Sequence, residues 1–312
     1  MESGMKWDRE FGRRQVLAAG AVLTVLTACS RPNGQTPVQL VESPAPPPVA
    51  NQFAALEDRY NVKVGIYGRN LGSNRRLSYR ADDLFATCST FKAYVAAAIL
   101  QKVQQGELKL TNEIFIDPTM LVPIASPITE PNVGGSMPLS DLCAAAVRQS
   151  DNTATNLMLE ILGGPQSVTE FARSVGDERT WMVRWEPELN SALPGDPRDT
   201  TTPRAMGTGF LNMLTGEVLD EPNRAQLNEW MSTIVTGDTR IRAGLPPGWV
   251  IADKTGAGDF ASTNDIGVAS GPNGERLVLS VMTRTRSDNP DTPRSEALIA
   301  DVTRAAVPWL LA

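Results

Sequence analysis

Segments that alternate with period two fall at the two ends of the chain, and the long middle carries helical spacing. Near the start, Val62-Lys63-Val64-Gly65-Ile66-Tyr67 alternates, and Arg76-Leu77-Ser78-Tyr79 follows after a Gly-Ser-Asn turn. Near the end, Trp249 to Lys254, Asp265 to Ala269 and Leu277 to Thr283 read as three strands, the last two joined across Gly271-Pro272-Asn273-Gly274. The fold class is therefore mixed α/β (α+β): a five-stranded antiparallel sheet formed by both ends of the chain, flanked by helices and carrying an all-helical insertion.

Asn51 to Arg59 has helical spacing, and Phe91, Val95, Ile99 and Val103 recur every fourth residue. Ala93 to Leu100 is apolar on nearly every side, which predicts a central buried helix ending at Gly106. Residues 139–149 and 153–162 read as two helices interrupted at Ser150-Asp151-Asn152, the second stopped by Gly163-Gly164. Helical spacing returns over 203–235, and Ser295 to Leu311 is an amphipathic closing helix. Arg184 to Pro203 is rich in Pro, Asp and Asn without periodicity, and is long enough to suspect a functional loop. A site is expected in the cleft between the two lobes.

The chain of 312 residues contains no histidine. That excludes Ser-His-Asp and Cys-His nucleophiles and any metal site relying on imidazole, so acid and base must come from Lys, carboxylates, hydroxyls or the backbone. The net charge of −6 gives no electrostatic reason to expect nucleic acid or an anionic membrane as a partner.

Arg13-Arg14 precedes an uncharged run, Gln15 to Ala28, that is too short to span a bilayer and suits a signal-peptide core. The paired arginines resemble a twin-arginine export signal. Leu26-Thr27-Ala28-Cys29 resembles a lipobox, in which Cys29 would be acylated. Six prolines between Pro32 and Pro48 predict a semi-extended tether. The expected organisation is a signal peptide over 1–28, a tether over 29–48 and a domain over 49–312. Within that domain, 49–82 and 236–312 form the α/β lobe and 83–235 the helical lobe. The chain is then an exported envelope protein, touching a membrane only through its lipid, acting as a monomer. Cys88 and Cys143 lie in apolar helical contexts and are expected to be separate buried thiols.

Four short segments carry chemistry. In Ser89-Thr90-Phe91-Lys92, a separation of three brings hydroxyl and amine to one helix face, so a lysine can take the serine proton. The bland alternative is a solvated lysine one turn from a serine. Ser150-Asp151-Asn152 offers a hydroxyl for proton relay and an amide for a substrate carbonyl, though all three are ordinary helix-capping residues. Lys254-Thr255-Gly256 ends a strand with a cation, a hydroxyl and a glycine that permits close backbone approach; an edge strand protected by Lys is the alternative. In Arg184-Trp185-Glu186-Pro187-Glu188-Leu189-Asn190, Glu186 is a candidate base and Asn190 a partner that fixes a water.

Taken in this order, the first three segments resemble the motif set of class A β-lactamases and penicillin-binding proteins. The fourth resembles the Ω-loop of class A β-lactamases, which penicillin-binding proteins lack. The resemblance covers residues 49–312 and includes actinobacterial and mycobacterial-like members. It implies the β-lactamase/transpeptidase-like fold and hydrolysis of β-lactams through an acyl-enzyme on Ser89, which confers antibiotic resistance and needs no cofactor or metal.

It further implies Lys92, Ser150 and Glu186 as proton carriers, an oxyanion hole of the Ser89 and Ala257 amides, and Asn152 and Asn190 at the substrate and water. Lys254, Thr255, Gly256 and Arg240 would hold the substrate carboxylate, Arg240 serving as second cation because Thr263 stands where many relatives carry arginine. Arg184 and Asp199 would clamp the Ω-loop. Some relatives pair the cysteine at position 88 with another on the Lys-Thr-Gly strand, but Gly258 stands at that place. No aromatic gate is evident in Val122 to Pro127. The competing expectation is a lipid-anchored penicillin-binding or sensor protein that is acylated without turnover.

Overall fold

The structure is a computed structural model and describes residues 48–312. The expected signal peptide, Cys29 and all of the tether but Pro48 lie outside the described residues. In chain order the strands are β1 (Val62–Asn70), β2 (Arg76–Tyr79), β3 (Phe85–Ala86), β4 (Glu113–Phe115), β5 (Ser136–Pro138), β6 (Thr200–Thr201), β7 (Val250–Ala257), β8 (Thr263–Ser270) and β9 (Arg276–Thr285). The α-helices are α1 (Ala50–Tyr60), α2 (Lys92–Gln104), α3 (Leu139–Arg148), α4 (Asn152–Leu162), α5 (Gln166–Ser174), α6 (Pro203–Thr215), α7 (Glu221–Ser232), α8 (Ile241–Gly244) and α9 (Glu296–Leu311).

The expected five-stranded antiparallel sheet is present, in the order β2-β1-β9-β8-β7. β1 pairs with β9 over its whole length, from Val62 opposite Thr285 to Asn70 opposite Leu277. Side chains alternate across β9, and both of its faces are apolar. Val278 and Met282 join the core shared with the helices of the middle segment, whereas Leu277, Leu279 and Val281 pack with Phe53 of α1 and with Leu298, Ile299 and Val302 of α9. The sheet is thus covered on both sides, which is why its inner strands read as nearly continuous apolar runs.

Lys92 to Leu100 of α2 are all buried, as a helix apolar on every side requires. The helix ends at Gln104, and Gly106 beyond it has a left-handed φ of 78°. Ser89 itself lies in a 3₁₀ turn, Cys88–Phe91, that leads into α2. Residues three apart eclipse in such a turn, so the Ser89 to Lys92 spacing still serves one face.

Candidate active site

A cleft of about 880 Å³ lies beside the nucleophile turn and is lined by Ser89, Ser150, Asn152, Asn190, Arg240 and Thr255 among others. Three backbone devices bring these side chains together. Cys88 is held at φ 45°, turning the chain sharply before Ser89. Ser150 is held at φ 59° between α3 and α4. β7 is an edge strand of the sheet, and it passes so close to the nucleophile turn that a Cβ on Gly256 would stand 2.9 Å from the Thr87 carbonyl oxygen.

Lys92 Nζ is the hub. It donates to Ser150 O at 2.7 Å and to Asn152 Oδ1 at 2.5 Å, and it pairs with Glu186 Oε1 at 3.0 Å. Both side chains of that ion pair are wholly buried. Burial pushes the Lys92 pKa down from the ordinary lysine range, and the Glu186 carboxylate opposes the fall. Lys254 Nζ lies 3.2 Å from Ser150 Oγ and donates to Thr255 O at 3.0 Å. Burial, then the charges of Lys92 and Arg240, bring its pKa down to about 7. Lys254 is therefore not a solvated strand guard, although β7 is an edge.

Glu186 is gripped at both ends. Asn156 of α4 donates through Nδ2 to Glu186 O at 2.8 Å, and Glu186 N donates to Asn156 Oδ1 at 3.0 Å. The amide of Asn190 donates to Glu186 Oε2, and its Oδ1 is buried with no protein partner. The Glu186-Pro187 peptide is cis. Asp199, buried at φ 55°, accepts from the backbone N–H groups of Val183 and Arg184 at 2.7 and 3.0 Å and from Arg184 Nε. Arg184 also donates to Ser191 Oγ at 2.9 Å, so the loop is tied across its width.

Arg240 donates through Nη1 to the carbonyls of Gly256 and Asn264, at 2.9 and 2.8 Å, and through Nη2 to Glu296 at 2.9 Å. The hydroxyls of Thr255 and Thr236 lie 2.6 Å apart. Ala257 lines the same cleft. Cys88 and Cys143 are free and buried, the expected separate thiols. Burial pushes the Cys88 thiol up to about 12, and Gly258 sits tightly against its sulfur. Ile124 and Ala125 border the cleft where an aromatic gate is lacking.

Asn156, Thr236 and Glu296 are additions to the residues expected from sequence. Asn156 stands four residues after Asn152 on one face of α4, a spacing that could have marked it. Thr236 and Glu296 belong to no spacing pattern.

The model of the Beta-lactamase enzyme family matches residues 48–310. A β-lactamase of Amycolatopsis lactamdurans is 44% identical over 265 residues, 85% of this chain and 86% of that protein. Among solved structures, a β-lactamase from Desulfarculus baarsii superposes with a TM-score of 0.81 at 42% identity, covering 85% of this chain and 97% of the other. An ancestral class A β-lactamase gives a TM-score of 0.79 at 45% identity, covering 83% and 99% respectively.

Proposed function

The chain belongs to the class A serine β-lactamases, and on that premise we propose how its residues divide the work of hydrolysing the β-lactam amide bond. The family activity is acyl transfer to water through a covalent acyl-enzyme, with β-lactam resistance as its consequence. Ser89 Oγ attacks the ring carbonyl, whose oxygen is received by the backbone N–H groups of Ser89 and Ala257. Lys254, Thr255 and Arg240 meet the substrate carboxylate beside Gly256, and Asn152 meets its amide side chain.

The serine proton passes to Lys92 directly or to Glu186 through a water. Lys92 and Glu186 are 3.0 Å apart and act as one proton-holding pair, so both routes end with both groups protonated. Ser150, between Lys92 and Lys254, hands a proton to the departing ring nitrogen and is reprotonated from the Lys92–Glu186 pair, which leaves Glu186 a carboxylate. Glu186 then removes a proton from the water that attacks the ester, a water oriented by Asn190, and the pair returns that proton to Ser89 Oγ as the ester C–O bond breaks.

The observation that carries this reading is the carboxylate shared between the buried lysine and Asn190, because a protein that is only acylated has no use for a positioned base. With Glu186→Ala, intact-mass spectra after penicillin addition are expected to show a persistent acyl-enzyme. Recovery of free enzyme at the wild-type rate would refute the role of Glu186, and a persistent acyl-enzyme in the wild type itself would favour the sensor alternative.

We further propose that residues 1–28 export the chain, that Cys29 is lipidated and that 29–48 tether the catalytic unit as a monomer to the envelope. The order of Arg-Arg, apolar run and lipobox supports this. Cys29→Ala is expected to move activity from the membrane fraction to the soluble fraction; activity that stays with the membrane counts against the anchor. The net charge of −6 supports the absence of a nucleic-acid partner.

A further inference from the structure

Behind the Ω-loop, outside the catalytic cleft, runs a second groove of about 790 Å³ between the segment Thr119 to Ile124 and the segment Val183 to Glu188. Ile124, Pro187 and Glu188 line both the groove and the cleft, so one ridge separates the two spaces. Next to Ile124 in the chain, lining the cleft alone, stands Ala125, whose side chain is only a methyl. Ile124 is 68% exposed on the ridge, and Val183 and Trp185 are exposed within the groove. Exposed large apolar side chains that converge on one concavity mark a binding surface.

The polar groups of Asn156, Arg184 and Glu186 that line the groove are already engaged. The Asn156 amide is spent on the Glu186 backbone, the Glu186 side chain turns to Lys92, and Arg184 is held by Asp199. What remains inside is apolar surface, with the exposed carboxylates of Glu160 and Glu188 at its edge. Such a groove favours a neutral apolar chain and disfavours an anionic one.

We propose that this groove is an extension of the substrate site that takes the long apolar acyl substituent of a β-lactam, reaching it over the Ile124 and Pro187 ridge. The proposal rests on hydrolysis at Ser89, because only a substrate seated there carries its substituent to the ridge. Val183 lines the groove and not the cleft, so it is the residue that reports on the extension.

The test is a series of penicillins with straight-chain acyl groups from acetyl to decanoyl, hydrolysed by the wild type, Val183→Asp and Val183→Leu. In the wild type and Val183→Leu, kcat/KM is expected to rise about fourfold for each methylene that passes the ridge, and then to level off. Val183→Asp is expected to flatten that rise when each compound is compared with the acetyl member hydrolysed by the same variant. A flat series in the wild type, or an unchanged slope in Val183→Asp, overturns the proposal. Failure to hydrolyse any member, acetyl included, would instead remove the Ser89 reading and the proposal with it.

Discussion

At the scale of single residues the site is a set of buried cations whose charge is under tension. Lys254 is wholly buried beside Lys92 and Arg240, and its pKa of about 7 follows from burial first and those charges second. Below that value it is an ammonium and attracts a carboxylate; above it the attraction is lost. A bound carboxylate favours the ammonium, so the free enzyme feels the titration more than the complex does. For the wild type, kcat/KM toward a penicillin is therefore expected to fall as pH rises through about 7, with kcat changing little. Lys254→Arg keeps a permanent charge and is expected to give a kcat/KM profile without that fall. A wild-type fall reproduced unchanged in Lys254→Arg would place the titrating group elsewhere. None of this tension is legible from a Lys-Thr-Gly triplet alone, because the desolvation comes from neighbours far apart in sequence.

At the scale of elements, Ser150-Asp151-Asn152 shows why motif and capping readings did not compete. The outer two residues face Lys92 and Lys254, and the middle one is the N-cap of α4. Asp151 accepts from Ala154 N at 2.8 Å and from Thr129 Oγ1 at 2.7 Å, and its other oxygen takes the N–H groups of Ile128 and Thr129 at 3.0 Å each. It is wholly buried, so Asp151→Ala leaves several donors unmet and is expected to destabilise the fold by about 2–4 kcal/mol. The midpoint of urea unfolding checks this. A loss under about 0.5 kcal/mol would show that the cap and the loop it holds find other partners.

The elements with clear period were readable in the sequence, as were the helix pair around this motif and the unperiodic Ω-loop. Helix α5 is obscured in the sequence, although Val168, Phe171 and Ala172 repeat at helical spacing, because the helix-breaking run Gly163-Gly164-Pro165 stands directly before it. β3 with β6, and β4 with β5, have two or three residues each, too few to show any alternation. The left-handed backbone at Cys88, Ser150 and Asp199 is equally silent in sequence, since none of these is glycine.

At the scale of the molecule, the pairing of β1 with β9 joins the first strand to the last across the whole helical insertion. The contact closes a very long loop, and what repays that entropy is burial on both faces of the central strands. Those strands should therefore open only when the entire domain opens, whereas the outer part of the Ω-loop should open alone. Leu193, Gly195 and Pro197 are exposed or half-exposed there, and the segment is held mainly by the Arg184, Asp196 and Arg198 contacts.

Native-state hydrogen exchange separates the two behaviours. Amides of Val64 to Gly68 and Leu277 to Met282 are expected to exchange with the free energy and denaturant dependence of global unfolding. The amides of Leu193, Gly195, Asp196 and Arg198 are expected to exchange with a much smaller free energy that urea hardly alters. If the β1 and β9 amides instead open at a free energy well below the global value, the sheet is not the last part to yield. The helical core around α2 would then be what holds the catalytic lysine in place.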